Sequence, residues 1–93
     1  MVSLIVSLTL LLSQGGFTEA QIKCTMNLVQ IESNFHIDSR NSKTGAYGLF
    51  QLMNVKSSLP LKNQVDRYQR YIAHRYKNDA CLALKHLKLK NWY

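Results

Sequence analysis

Apolar residues in this chain recur at spacings of three and four, and nowhere with the period of two that a half-buried strand requires. In residues 21–33 they form two helical stripes, Ile22, Met26, Val29 and Cys24, Leu28, Ile31, with Phe35 extending the second. Such a helix is expected to be buried on most sides. Val65, Tyr68, Ile72 and Tyr76 mark an amphipathic helix over residues 62–76, with Arg67, Arg70 and Arg75 mostly elsewhere on the wheel. Asn78 and Asp79 can cap another over residues 80–87, where Cys81, Leu84 and Leu87, or else Ala80 and Leu84, face inward. Residues 34–44 are polar and rich in turn formers, and they lead to Gly45 and Gly48. Residues 49–55 form a short apolar piece, expected as one or two helical turns, broken by residues 56–60. The expectation is a small all-α domain, and 93 residues leave room for one thin core.

The first twenty residues differ from the rest. An apolar stretch, the pair Gly15-Gly16, then Thr18-Glu19-Ala20, has the order of a signal peptide cleaved before Gln21, although no Lys or Arg precedes the stretch. Its length is well short of the roughly 20 residues that a membrane span needs. The expected organisation is therefore a leader or N-terminal anchor at residues 1–20 and one domain at 21–93. The product would be secreted or periplasmic and would have no stable membrane insertion after cleavage. Export suits the cysteines: Cys24 and Cys81 are the only two, and one bridge would tie the start of the domain to its end. That bridge would contribute about 2–4 kcal/mol; two buried thiols are the alternative. Zinc-type Cys/His spacing is absent, so no metal and no cofactor is expected. A net charge of +7 points to a polyanionic partner without choosing among wall polymers, nucleic acid and acidic lipid.

Glu32 is the residue out of keeping with its surroundings. It follows Leu28 by four positions and Val29 by three, which sets a carboxylate beside apolar side chains near the C-terminal end of a mostly buried helix. Burial and the negative end of the helix dipole both disfavour its ionised form, so its pKa is expected to be raised. A carboxylic acid held protonated is what donation to a glycosidic oxygen requires.

Beyond Glu32 the chain reads Glu32-Ser33-Asn34-Phe35, then Ser42-Lys43-Thr44, then Gly45-Ala46-Tyr47-Gly48-Leu49-Phe50-Gln51. In order and spacing these segments resemble the lytic transglycosylase family, whose fold is that of goose-type lysozyme. There a Glu-Ser pair closes a helix, and a Gly-Ala-x-Gly-Leu-x-Gln segment lines the cleft opposite. Residues 64–76, Ala83-Leu84 and Asn91-Trp92-Tyr93 are similar to the closing helices of short secreted or phage-associated members, so the resemblance covers residues 22–93.

The resemblance implies a lysozyme-like helical fold and a monomer that cuts peptidoglycan glycan strands, with no nucleic-acid partner. It gives Glu32 the role of general acid and then base, and Ser33, Gly48, Leu49 and Gln51 that of lining the substrate. Tyr71 and Tyr93 are the candidates for a tyrosine beside the glutamate. Tyr47 and Phe50 are sugar platforms or simply packing. The longer relatives' Ala-Tyr-Asn-x-Gly segment has no counterpart, the nearest stretch being Ala83-Leu84-Lys85-His86. For a second carboxylate residues 21–93 offer Asp38, Asp66 and Asp79, none well placed. The family's route needs none, because the substrate's own N-acetyl group assists and a 1,6-anhydro-muramyl end results. A rival reading keeps the fold without catalysis, as a wall-binding or virion structural module.

Overall fold

The computed structural model describes residues 3–93 and is all-α: α1 (Leu4–Gln14), α2 (Glu19–Ser33), α3 (Leu61–Tyr76) and α4 (Ala80–Lys90). Among the described residues extended pairing is limited to two isolated bridges, Arg40 with Tyr47 and Tyr47 with Leu52. Side chains cap three of the helices. Ser3 accepts from the Val6 amide at 3.2 Å, Thr18 from Gln21 at 3.3 Å and Asp79 from Leu82 at 3.0 Å, each satisfying a first-turn N–H that the helix leaves without a partner. α2, α3 and α4 end on Asn34, Lys77 and Asn91 in the left-handed conformation, which bends the chain sharply out of each helix.

α2 and α4 form the most extensive pair, and the Cys24–Cys81 disulfide joins them. The core runs through Leu28 and Val29 of α2, Val65, Tyr68 and Ile72 of α3, and Ala80, Ala83 and Leu87 of α4. Phe50 lies flat on Tyr68 with ring centroids 4.1 Å apart, and the Tyr68 hydroxyl shares a 2.8 Å hydrogen bond with Thr25. α2 is less enclosed than its two stripes imply. Thr25, Leu28, Val29 and Ser33 turn inward while Ile31 is 52% exposed, because α1 and α4 cover only part of its circumference.

The apolar stretch near the N-terminus is α1, and one face of it packs on the core while Ile5, Val6 and Leu10 stay exposed. Leu8 and Leu12 have no exposed surface, and the Gln69 side chain donates to the Leu12 carbonyl at 3.0 Å. Phe17 meets Tyr68 edge-on, with centroids 6.1 Å apart. The boundary expected between Ala20 and Gln21 falls inside the first turn of α2, after the Thr18 cap. No helix among the described residues is long and apolar enough to cross a membrane.

Residues 49–55 are not the helical turns expected. Tyr47 and Leu52 exchange both main-chain hydrogen bonds, at 3.0 and 3.2 Å, around a tight turn in which Gly48 has φ 85° and Gln51 φ 51°. A helix is excluded there because partners distant in sequence claim the backbone. The Leu49 amide donates to the Gln64 side chain of α3 at 2.9 Å, and the Leu49 carbonyl accepts from Ser33 of α2 at 2.9 Å. The Gln64 amide nitrogen donates in turn to the carbonyls of Ile37 and Leu59, both at 3.0 Å. One buried glutamine thus pins three separate points of the long connection between α2 and α3. A Cβ at position 48 would meet that glutamine's amide oxygen, so Gly48 is required for space as well as for φ.

Candidate active site

Glu32 occupies the last turn of α2 and faces an open cleft of about 680 Å³. The floor comes from the end of α2 and from Tyr93. One wall is the 41–54 segment, with Asn41, Thr44, Gln51 and Asn54. The other is α3 with Arg67, Arg70 and Tyr71, closed at one end by Asn91 and Trp92. Burial pushes the Glu32 carboxyl up from the ordinary 4.5 to about 6, since losing water penalises the charged form. Near neutral pH this group therefore holds an appreciable protonated fraction, as a proton donor to an ether oxygen must.

Glu32 is the only side-chain carboxylate on the cleft among the described residues. Asp38 accepts from the Tyr47 hydroxyl at 2.6 Å, away from the cleft. Asp66 pairs with Lys62 at 3.1 Å on the exposed side of α3, and Asp79 caps α4. A pair of carboxylates flanking one sugar bond is thus not assembled here. Among the described residues no three His, Cys, Asp or Glu side chains gather closely enough to hold a metal ion.

Of the residues singled out from sequence, Glu32, Gln51, Tyr71 and Tyr93 converge on the cleft. Five others stand behind it. Ser33 is buried and donates to the carbonyls of Val29 and Leu49, at 3.2 and 2.9 Å, so it locks the end of α2 to the cleft segment instead of presenting a hydroxyl to a ligand. Gly48 and Leu49 are buried, with their backbone engaged as described above. Tyr47 is 5% exposed and carries the Arg40 guanidinium over its ring at 4.7 Å, while Phe50 is 1% exposed on Tyr68. Neither aromatic is available as a sugar platform. Gln51 spends its amide nitrogen on the carbonyls of Ser39 and Gly48, at 3.0 and 2.9 Å, which fixes the side chain at the cleft edge.

None of the five tyrosine hydroxyls donates to Glu32. Tyr71 donates to the main-chain oxygen of Tyr93, and Tyr93 to the Phe50 carbonyl at 2.5 Å. Burial holds the Tyr93 phenol well above its ordinary pKa, so it stays neutral and its ring forms an apolar floor beside Glu32. The two tyrosines meet edge to face with centroids 5.5 Å apart and line the same cleft as Glu32.

Sequence reasoning missed the aromatic that does face the cleft. Trp92 is 52% exposed, yet its position is fixed: His86 packs against its ring at 4.4 Å and bonds its carbonyl at 2.8 Å, and the Arg75 guanidinium lies 5.0 Å from the ring centroid. A lone Trp beside Asn91, past the end of a basic helix, was the available signal. Arg67 and Arg70, read from sequence only as lying off the apolar stripe of their helix, line the cleft.

In comparisons with known proteins the chain matches no family model, no curated relative and no solved structure.

Proposed function

We propose that this chain cleaves the glycan strands of peptidoglycan as a lytic transglycosylase, with Glu32 as its single acid/base. The observation that carries this reading is one half-buried carboxyl with a pKa near 6, alone among acids on a cleft wide enough for sugar rings. In the proposed reaction Glu32 protonates the glycosidic oxygen as the bond to the muramyl C1 breaks. The N-acetyl oxygen of the same sugar closes on C1, so no protein nucleophile is needed. The Glu32 carboxylate then takes the proton of the muramyl 6-hydroxyl, whose oxygen displaces the acetamido oxygen and leaves a 1,6-anhydro end. The proton that Glu32 gave is thereby returned to it.

The remaining groups suit a sugar ligand. Trp92 offers an exposed ring against which a pyranose face can stack, and Asn41, Gln51, Asn54 and Asn91 bring amides to the walls for acetamido and hydroxyl groups. The Glu-Ser and Gly-Ala-x-Gly-Leu-x-Gln segments that resemble the family fall at the end of α2 and on the wall facing it. The disulfide and the substrate's place outside the cytoplasm both fit an exported protein working in an oxidising compartment.

The test is digestion of purified peptidoglycan by the oxidised protein and by Glu32→Gln, with soluble products resolved by mass spectrometry. Anhydro-muramyl ends made by the wild type and not by the variant are expected. Reducing ends instead would mean attack by water and a hydrolase. Equal inertness of both proteins, with both still sedimenting with the wall, would reassign the fold to a binding module.

A further inference from the structure

Two cations on the cleft are left over by this mechanism. Arg67 and Arg70 project from successive turns of α3 onto the cleft, where Arg67 reaches the 41–54 segment at Met53. Neither has a carboxylate partner: the one ion pair among the described residues is Lys62 with Asp66. Their hydrogen bonds go only to main-chain oxygens, from Arg67 to the Met53 carbonyl at 3.3 Å and from Arg70 to that of Asp66 at 3.4 Å. Each guanidinium has five N–H donors, so most of this capacity points outward. Nor do they serve Glu32, whose pKa is set by burial alone with no lowering by a nearby positive charge. Two forked donors that neither neutralise an acid of the protein nor tune its acid/base await an anion from the ligand.

We propose that Arg67 and Arg70 form a carboxylate-binding subsite for the acidic stem peptide of the muramyl sugar, which makes peptide-bearing glycan the preferred substrate over stripped strands. The proposal rests on the reading of Glu32 as a glycan-cleaving acid, because that reading sets a muramyl ring, and hence the root of its peptide, beside Glu32. The stem's second residue carries the first free carboxylate. Two extended residues span about 7 Å, so this carboxylate can reach beyond the sugar's own footprint to arginines on the cleft lining. Arg67 is held by Met53 and Arg70 by its own helix, so both forks are partly ordered before the ligand arrives.

The experiment uses full-length oxidised Glu32→Gln protein, which holds ligand without turning it over. Its single tryptophan, Trp92, reports on the cleft through fluorescence. Three probes are titrated: the disaccharide of N-acetylglucosamine and N-acetylmuramic acid with its lactyl carboxyl as a methylamide, the same sugar bearing L-alanyl-D-isoglutamate with its γ-carboxyl as a methylamide, and the isoglutamine counterpart of that probe, in which the one free carboxylate is a neutral amide. The acidic stem is expected to bind about tenfold more tightly than the amide form, the scale of one charge-assisted pair. Arg67→Gln with Arg70→Gln is expected to abolish that ratio and leave disaccharide affinity unchanged. Arg70→Gln alone, which keeps the Arg67–Met53 bond, is expected to shrink it.

Equal binding of acidic and amide stems overturns the subsite while leaving the glycan reading intact. So does a uniform loss across all three probes in the arginine variants, which would mark a structural role. Competition by poly(glycerol phosphate) as strong as that of the acidic stem would reassign the two arginines to a phosphate polymer of the wall. Failure of all three probes to bind overturns the subsite and the glycan reading together.

Discussion

Leu12→Ala in the full-length chain is expected to destabilise the fold by about 3 kcal/mol, within the range of about 2.7–5 kcal/mol typical of buried leucines. Leu12 has no exposed surface, and the side chain sits where α1 meets α3, beside Leu8 and the Tyr68 end of the core. Its truncation leaves a void bounded by two helices that the Gln69–Leu12 hydrogen bond holds at fixed separation, which limits collapse into the gap. A chain of 93 residues has a total stability of about 5–14 kcal/mol, so the loss is a large share of the whole. At about 4–8 °C per kcal/mol for a domain of this size, Tm should fall by roughly 12–24 °C. Thermal and urea unfolding followed by far-UV circular dichroism measure this directly. Leu10→Ala is the internal control: Leu10 is 55% exposed on the opposite face of the same helix, and its change should stay within about 0.5 kcal/mol. Equal, near-zero effects at both positions would refute the argument. They would mean that α1 does not occupy the core of the protein in solution, as expected for a leader removed on export.

Three further outcomes follow from the site and its bracing. Because Glu32 has a pKa near 6, above the ordinary 4.5, stability due to its protonated form is complete below about pH 4.5 and is lost as pH rises through 6. Glu32→Gln should therefore raise Tm relative to wild type above about pH 7 and leave it unchanged near pH 4, while wild-type glycan release should fall above pH 6 as the acid form is depleted; a flat difference in Tm would exclude a perturbed carboxyl. Cys24 and Cys81 are 57 residues apart, so loop closure predicts about 4 kcal/mol from the bridge. Cys24→Ser with Cys81→Ser should lower the urea midpoint accordingly, and the variant should be insensitive to reductant. Trp92→Ala should raise KM for glycan about tenfold or more with little change in Tm, since the ring is half exposed; an unchanged KM would remove Trp92 from the substrate path.

α3 and α4 were legible in the sequence because each buries one stripe against one core, and the Asp79 cap announced where α4 begins. The raised pKa of Glu32 was legible as a direction, because burial was expected from its place on α2, while Tyr93 beside it comes from the far end of the sequence. How α1 packs was not legible, because a largely apolar helix has the same composition whether it serves as a leader or lies against a core. The turn at residues 47–52 was hidden differently. Short apolar runs favour helix on local grounds, and here hydrogen bonds from Ser33 and Gln64, both more than a dozen residues from Leu49, override them. Trp92, Arg67 and Arg70 reach the cleft only through the packing of α3 and α4 on α2, and no spacing rule encodes that convergence.

The double anchorage of Leu49 also bears on how the cleft meets its ligand. With its amide tied to α3 and its carbonyl to α2, the segment behind Gln51 has already surrendered most of its backbone freedom before any strand arrives. Little ordering entropy is left to be lost on association, so sugar contacts can appear in affinity nearly undiminished. Under the proposed reading, a glycan strand would meet a wall that is already set in place behind Gln51.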